Sequence, residues 1–185
     1  MLTTRINTRI TTLLAALALA AASPVFGQAQ PKKGAIAKQD QQYFSRLAQD
    51  NMAEVQAGKL AEKQASSNNV KTFARRMIGD HGRMLEEQRE LAKSTGFQMP
   101  KQPGKEHQAA MEKLKKAKSG EQFDRAYMSQ MVKDHEKTLQ LVQQTARNAK
   151  NGELKAMAEK AEPVIEEHLK MAKEISDAAS AGASK

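Results

Sequence analysis

The sequence of 185 residues contains no cysteine and no tryptophan, and aromatic residues make up only 4% of it. The absence of cysteine excludes disulfide bonds, thiolate metal sites and cysteine nucleophiles. The scarcity of aromatic residues removes the stacking platforms on which proteins hold single-stranded nucleic acid. Neither a glycine-rich phosphate cradle nor a serine or threonine nucleophile is evident. We therefore predict no specific nucleic-acid partner and no catalytic residues of these classes.

The N-terminus has the pattern of a secretory signal peptide. Arg5 and Arg9 precede a short run of leucine and alanine at residues 12–22, and small residues follow. A charged region, an apolar region and a small-residue cleavage zone define such a peptide. The run is shorter than the roughly 20 apolar residues that span a bilayer. We predict cleavage after Gly27 or Ala29 and a periplasmic or secreted mature chain without a transmembrane segment.

The chain is basic, with a net charge of +9. We interpret this charge as a solvated basic surface, because no pattern in the sequence assigns it to a specific partner. Attraction to an anionic component of the cell envelope is the other hypothesis that such a charge supports.

Beyond the N-terminal segment, apolar residues recur at helical spacing without strand-like alternation. Short breaks separate the first helix from the second and the fourth from the fifth, so each pair should form an antiparallel hairpin. The connection at 96–120 is long enough to cross the bundle. An all-α, ferritin-like four-helix bundle of two hairpins, joined by a long crossover containing a short helix, is the predicted fold. The predicted helices are 39–65, 69–94, 105–117, 121–148 and 151–179. The predicted domains are a signal peptide at 1–27, a linker at 28–38, the bundle at 39–178 and a flexible tail at 179–185.

One motif occurs twice. The pattern that begins at Phe73 and contains Asp80 and His81 recurs from Tyr127 with identical spacing, at an offset of 54 residues. The two copies lie in different hairpins. The repeat therefore predicts a pseudo-twofold relation between the hairpins, with the two Asp-His pairs as equivalents.

Polar residues that could carry chemistry fall near the middle of each long helix. The three histidines of these helices lie on apolar stripes, four residues from apolar neighbours on the same face. Antiparallel helices of similar length bring their midpoints to one height, so these groups should share one level of the bundle. The predicted layer contains Glu54, Asp80, His81, Asp134, His135, Glu167 and His168.

Three interpretations of this layer are open. Reciprocal Asp-His hydrogen bonds would make it a structural layer that sets the helix register. Histidines and carboxylates on facing helices could instead bind a metal, and a general base is the third interpretation. Soft thioethers beside imidazole would suit Cu(I). The methionines within a turn of the histidines are Met77, Met84, Met131 and Met171. His107, on the short helix, is interpreted as a packing residue.

The residues at 51–61, 70–81, 123–135 and 163–172 resemble the exported bacterial family called domain of unknown function 4142. The resemblance extends from Gln39 to Asp177 and implies a ferritin-like bundle in the envelope, without an assigned activity. The wider ferritin-like group would imply a di-iron site, which uses Glu-x-x-His on two helices. That spacing is absent here, because Ile78, Val132 and Ile165 stand three residues before the histidines.

From these features we predict a non-enzymatic binding or envelope-stress protein whose Asp/His layer is structural. The alternative is a metal-binding protein or oxidoreductase that uses copper or iron in that layer.

Overall fold

The structure is a computed structural model that describes residues 36–182 and the side chains up to residue 179. The predicted signal peptide, its cleavage site, most of the linker and residues 183–185 lie outside the described residues. Within 36–182 all regular structure is α-helical, as predicted. The helices are α1 (Lys38–Gln64), α2 (Asn68–Thr95), α3 (Lys105–Lys116), α4 (Glu121–Asn148) and α5 (Gly152–Gly182).

Contacts at the two ends of the bundle define the helix directions. At one end, Asp40 in the first turn of α1 accepts hydrogen bonds from the backbone N–H groups of Lys150 and Asn151, between α4 and α5. At the other end, Asp124 in the first turn of α4 accepts bonds from Ser66 and Ser67, between α1 and α2. α1 is therefore antiparallel to α2 and to α4, and α5 is antiparallel to α2 and α4.

The connection between the hairpins confirms the predicted crossover. α2 ends beside the start of α1, where Gln41 bonds to Gln98 in the following loop. α4 begins at the opposite end, where the Gly120 N–H donates to the Gln64 carbonyl. α3 packs against α1 and α4 within the segment that joins these two ends. α2 and α4 consequently run parallel across the diagonal, which is the arrangement of a ferritin-like bundle with one crossover.

The internal repeat has a different geometrical meaning from the predicted one. Asp40 on α1 and Asp124 on α4 are 84 positions apart, and each bonds to the turn of the other hairpin. A twofold rotation that exchanges the hairpins therefore places α1 on α4. The same offset of 84 relates His135 to Asn51, and an offset of 87 relates His168 to His81. The twofold rotation that relates the two hairpins thus places α2 on α5. The Asp-His repeat instead relates the parallel, diagonally opposed helices α2 and α4.

Two apolar clusters fill the bundle, one on each side of the middle level. The first contains Phe73, Met77 and Tyr127 and lies towards the Asp124 end. The second contains Phe44 and Leu154 and lies towards the Asp40 end. The three histidines lie between these two clusters. This core position holds them away from solvent.

The described helices carry no membrane-spanning segment. Between residues 36 and 182, no helix combines the length and the apolar character needed to cross a bilayer. α5 runs through Pro163 without interruption and extends to Gly182, four residues beyond the predicted end of the bundle.

Glycines in these helices give a first prediction, on stability. A Cβ on Gly79 would meet no atom within 4 Å, whereas one on Gly58 would lie 2.9 Å from Ile78 Cγ1 and 3.0 Å from the Ala74 carbonyl oxygen. We expect Gly79→Ala to raise the free energy of unfolding by about 1 kcal/mol through helix propensity. Gly58→Ala should lower it by about 1–2 kcal/mol, because α1 and α2 would be pushed apart. Urea unfolding of both variants checks this, and equal effects of the same sign would contradict it.

Candidate metal centre

Three histidines from three helices meet at the middle of the bundle. His81 on α2, His135 on α4 and His168 on α5 are each at most 1% exposed. Their ring centroids form a nearly equilateral triangle with sides of 5.3, 5.5 and 5.5 Å. One nitrogen of each ring lies within 4.8 Å of the chosen nitrogens of the other two. Helical spacing on three apolar stripes has therefore produced one compact imidazole cluster.

A hydrogen-bonded chain fixes the orientation of His81. The Asn51 side-chain amide donates to Gln88 Oε1 at 3.0 Å, so its oxygen is directed at the histidine. His81 Nδ1 lies 2.8 Å from that oxygen and must donate to it. The proton of the neutral ring is thereby placed on Nδ1, and Nε2 keeps its lone pair.

The other two rings are held in the same manner. His135 Nδ1 donates to the Met131 carbonyl oxygen at 2.8 Å, within α4. His168 Nε2 donates to Asp80 Oδ2 at 2.9 Å. Asp80 in turn accepts from Arg76 at 3.3 Å and from Arg83. Each ring thus has one nitrogen anchored to an acceptor, which is the outer-shell arrangement that orients metal-binding imidazoles.

The remaining nitrogens are His81 Nε2, His135 Nε2 and His168 Nδ1. All three are buried and have no hydrogen-bond partner among the described residues. Since one nitrogen of each ring lies within 4.8 Å of those of the other two, an ion at the centre of these three atoms would lie at most about 2.8 Å from each. An inward movement of about 0.7 Å would give the roughly 2.1 Å bonds typical of zinc and imidazole. The donor set therefore fits a single transition-metal ion.

Burial keeps these imidazoles neutral. It lowers the pKa of His81 well below its ordinary value, and the neighbouring His135 and His168 rings add to the shift. Burial, with His168 beside it, lowers the pKa of His135 to about 4. Burial also lowers the pKa of His168, although the Asp80 carboxylate opposes the shift. At neutral pH three uncharged rings therefore offer lone pairs to the centre of the cluster.

Asp80 stays ionised behind this cluster. Burial alone would raise the pKa of Asp80, but the hydrogen bond and charge of His168, together with Arg83 and Arg76, lower it overall. The carboxylate is thus an acceptor for His168, and the two arginines offset its charge.

The other carboxylates predicted for the layer do not join the cluster. Glu167 points to the surface, where its half-exposed side chain pairs with Arg76 at 2.7 Å. Asp134 accepts two hydrogen bonds from Gln130 at 2.8 Å. The physical reason is that adjacent residues on a helix point about 100° apart, so the neighbour of an inward histidine is turned aside. Reciprocal Asp-His bonding is absent from the described residues, since Asp80 pairs with α5 and Asp134 within α4.

Glu54 belongs to a separate acidic cluster beneath α3, made of Asp50, Glu54 and Asp134. Burial, reinforced by the charges of Asp134 and Asp50, raises the pKa of Glu54 well above its ordinary value. Burial raises the pKa of Asp50 to about 6, although His107 opposes the shift. His107 Nε2 lies 3.3 Å from Asp50 Oδ1, so this histidine has a polar partner in addition to its packing contacts.

The four methionines near the histidines have different environments. Met77 and Met131 are at most 1% exposed and belong to the apolar cluster around Phe73. Met171 Sδ accepts a hydrogen bond from Arg76 at 3.7 Å. Met84 is half-buried and lines a cavity above the histidines.

Asn51 is the anchoring residue that the sequence prediction missed. It lies four residues after Leu47 and seven before Gly58, so it falls on the apolar stripe of α1. A polar residue at such a position must find a buried partner, and this could have marked it. The residue predicted for the layer on α1 is the charged Glu54, which lies three positions further along the helix.

The fold and the cluster together define a ferritin-like helical-bundle protein with three buried histidines at mid-height. A family model described as "Domain of unknown function (DUF4142)" matches residues 26–175, and the chain belongs to this family. Among solved structures, it is similar to "CopM in the Cu(II)-bound form", with 17% sequence identity and a TM-score of 0.63. The match covers 75% of this chain and 95% of that chain. No curated protein matches the chain in sequence.

Proposed function

We propose that this protein binds one transition-metal ion through His81, His135 and His168, and that copper is the metal the site fits best. The observation that carries the proposal is the convergence of three buried imidazole nitrogens without a protein partner. The other nitrogen of each ring is anchored by a hydrogen bond. Binding, rather than catalysis, is the proposed role, because rings at most 1% exposed leave no surface for an organic substrate to approach.

A purely structural layer explains the anchored nitrogens but not the free ones. A buried polar atom without a partner costs about 1–3 kcal/mol. A layer that served only the helix register would have its polar atoms paired, as Asn51 and Gln88 are. Three buried nitrogens without a partner, on rings whose centroids lie 5.3–5.5 Å apart, instead offer the lone pairs that a cation requires.

The ligand chemistry supports copper over iron. Iron sites in helical bundles and facial triads use carboxylates as ligands, and the three histidines bring none into the cluster. Copper accepts imidazole, and Cu(II) lies at the top of the affinity order for divalent first-row metals. The similar fold of CopM, solved in a Cu(II)-bound form, adds support from a distant structure. Asp80 would act as a positioning residue by holding the His168 ring.

The proposed location is the periplasm or the exterior of the cell. The support is the signal-peptide pattern around Arg5, Arg9 and residues 12–22. A protein there would meet metal ions without the competition of cytosolic thiols. A role in binding and retaining copper in the envelope follows from this location and the buried site.

Calorimetric titration of the mature chain with Cu(II) at pH 6 tests the proposal. We expect one tight equivalent per chain and clearly fewer than two protons released, because burial lowers the pKa values of the three rings. Three ordinary histidines, half-protonated near pH 6.5, would release about two protons. Proton release is measured by repeating the titration in two buffers of different protonation enthalpy.

The sign of the pH effect is a further part of this expectation. A histidine with a lowered pKa is protonated, and lost as a ligand, only when the pH falls through that lowered value. The fall in affinity should therefore occur at lower pH than three ordinary histidines would give, and His135 should be lost as a ligand only as the pH approaches about 4. Release of two protons at pH 6, or no tight equivalent, would contradict the proposal. His107→Ala is the matched control and should leave the titration unchanged.

A further inference from the structure

A cavity of about 150 Å³ lies directly above the histidine cluster, on the Asp40 side. Its lining includes residues within one helical turn of each ring: Met84 follows His81, Thr138 follows His135, and Ile165 precedes His168. Asn51 and Asp80, the anchors of His81 and His168, also line it. The cavity therefore reaches the anchoring residues of the cluster from the outside of the bundle.

The mouth of the cavity lies between α2 and α5. Exposed charged residues surround it, and the ion pair between Lys160 Nζ and Glu87 Oε1, 2.6 Å long, spans the two helices there. The side chains of this pair are 70% and 44% exposed. Exposed pairs contribute little to stability, so this contact can open at small cost. Opening of this contact would uncover the cavity between the two helices without disturbing the buried core.

Two thioethers line the wall between this mouth and the anchors. Met84 on α2 and Met157 on α5 are both half-buried, so solvent reaches part of each side chain. The wall around them is mostly aliphatic, with Leu47 and Val142 among its members. The carboxylates and the amide that also line the cavity already have partners: Asp80 pairs with Arg76 and Arg83, Glu87 with Lys160, and Asn51 with His81 and Gln88. Thioether sulfur is a soft ligand that selects Cu(I).

Charge favours the same ion. The three histidines are neutral ligands, and the carboxylate nearest to them, Asp80, is already paired with Arg76 and Arg83. A monovalent ion loses less solvation energy than a divalent ion when it enters such a low-dielectric region. The cavity and the cluster beneath it therefore suit Cu(I) in both softness and charge.

We propose that this cavity is the route by which Cu(I) reaches the three histidines, and that Met84 and Met157 ligate the ion transiently on the way. This inference rests on the proposed metal site. The two methionines are ligands of the path and not of the final site, so they set the rates of binding and release and leave the equilibrium affinity unchanged.

Transfer kinetics test the route. The mature chain is mixed under anaerobic conditions with Cu(I) held by a chromophoric chelator, and the loss of the chelator's absorbance is followed. The double variant Met84→Leu with Met157→Leu should bind about tenfold more slowly and release the ion about tenfold more slowly, with the same dissociation constant. The substitution conserves volume and should leave the fold intact, which thermal unfolding checks. The matched control is Met99→Leu with Met111→Leu, two half-buried methionines that do not line the cavity.

The outcomes separate the route from the site. Stoichiometric Cu(I) binding at an unchanged rate in the Met84/Met157 variant would overturn the route and leave the metal site standing. An equal loss of rate in the control variant would also overturn it, because the effect would then belong to methionines in general. Absence of tight Cu(I) binding by the unmodified chain would overturn the route, whereas the site itself stands or falls with the Cu(II) titration. Weaker equilibrium affinity in the Met84/Met157 variant would show that the thioethers belong to the final site, against the proposal.

Discussion

Replacing His81, His135 or His168 singly with alanine is expected to weaken copper binding by at least about 100-fold, because loss of an outer-shell partner alone costs 10–100-fold in such sites. Each variant removes one of only three converging nitrogens. It also leaves an anchor, such as the Asn51 amide oxygen, without its donor. Competition with a chelator of known affinity measures the dissociation constant of each variant.

Stability measurements separate loss of a ligand from loss of the fold. Copper in excess should raise the free energy of unfolding of the unmodified chain by about 3 kcal/mol at 100 times the dissociation constant. The three histidine variants should show no such increase, although each remains folded at lower stability. His107→Ala should retain the full increase, since His107 lies beneath α3 beside Asp50. An increase that persists in all the variants would place the copper elsewhere, and no increase in any form would favour the structural layer.

Asp80→Asn should weaken copper binding less than the histidine variants do and more than His107→Ala does. The amide can still accept from His168 Nε2, but it has no charge with which to hold the ring or to attract Arg76. This intermediate behaviour is what a positioning residue produces.

The helices and their connectivity could be predicted because the information for them is local. Apolar spacing within each helix and the lengths of the breaks determine hairpins and a crossover. The common height of His81, His135 and His168 also followed, since it depends only on antiparallel helices of similar length. These are properties of single helices or of neighbours in the chain.

The partners of the layer could not be predicted because they depend on how each helix is rotated. Asp80 turns from α2 towards α5 and meets His168, whereas Asp134, in the identical motif, bonds within α4. A rotation of about 100° separates each aspartate from the histidine beside it. The motif is the same in both helices, but the neighbouring helix on that side is not. The sequence repeat carries no information about that neighbour.

Removal of the Asp124 carboxylate is expected to have the largest effect on stability. Asp124, 4% exposed, accepts bonds from the Ser66 N–H at 3.1 Å, the Ser66 hydroxyl at 2.6 Å and the Ser67 N–H at 2.9 Å. Hydrogen bonds to charged groups contribute about 1.5–3 kcal/mol each, and the variant would leave these donors unpaired. We expect Asp124→Ala to lower the free energy of unfolding by about 3–4 kcal/mol. Chemical denaturation measures it.

Glu121→Ala is the matched control, because Glu121 lies in the same first turn of α4. Its side chain is 85% exposed and pairs with Arg125 at 3.5 Å, so we expect a change within about 0.5 kcal/mol. Asp40→Ala should repeat the large effect at the other end, where the carboxylate clamps Lys150 and Asn151. A loss below about 1 kcal/mol in both aspartate variants would contradict the clamp.

The Asp40 and Asp124 contacts and the histidine cluster all lie at the interface between the two hairpins. Asp40 joins the first hairpin to the turn of the second, Asp124 does the reverse, and the cluster takes His81 from one hairpin and His135 and His168 from the other. His135 lies 11 residues along α4 from Asp124, which corresponds to about 16 Å. Asp124→Ala should therefore reduce stability while the copper dissociation constant changes less than about threefold, since sites beyond about 10 Å are usually independent. Asp80→Asn should instead weaken copper binding with little change in stability. Variants with these opposite effects would separate the forces that hold the hairpins together from those that prepare the metal site.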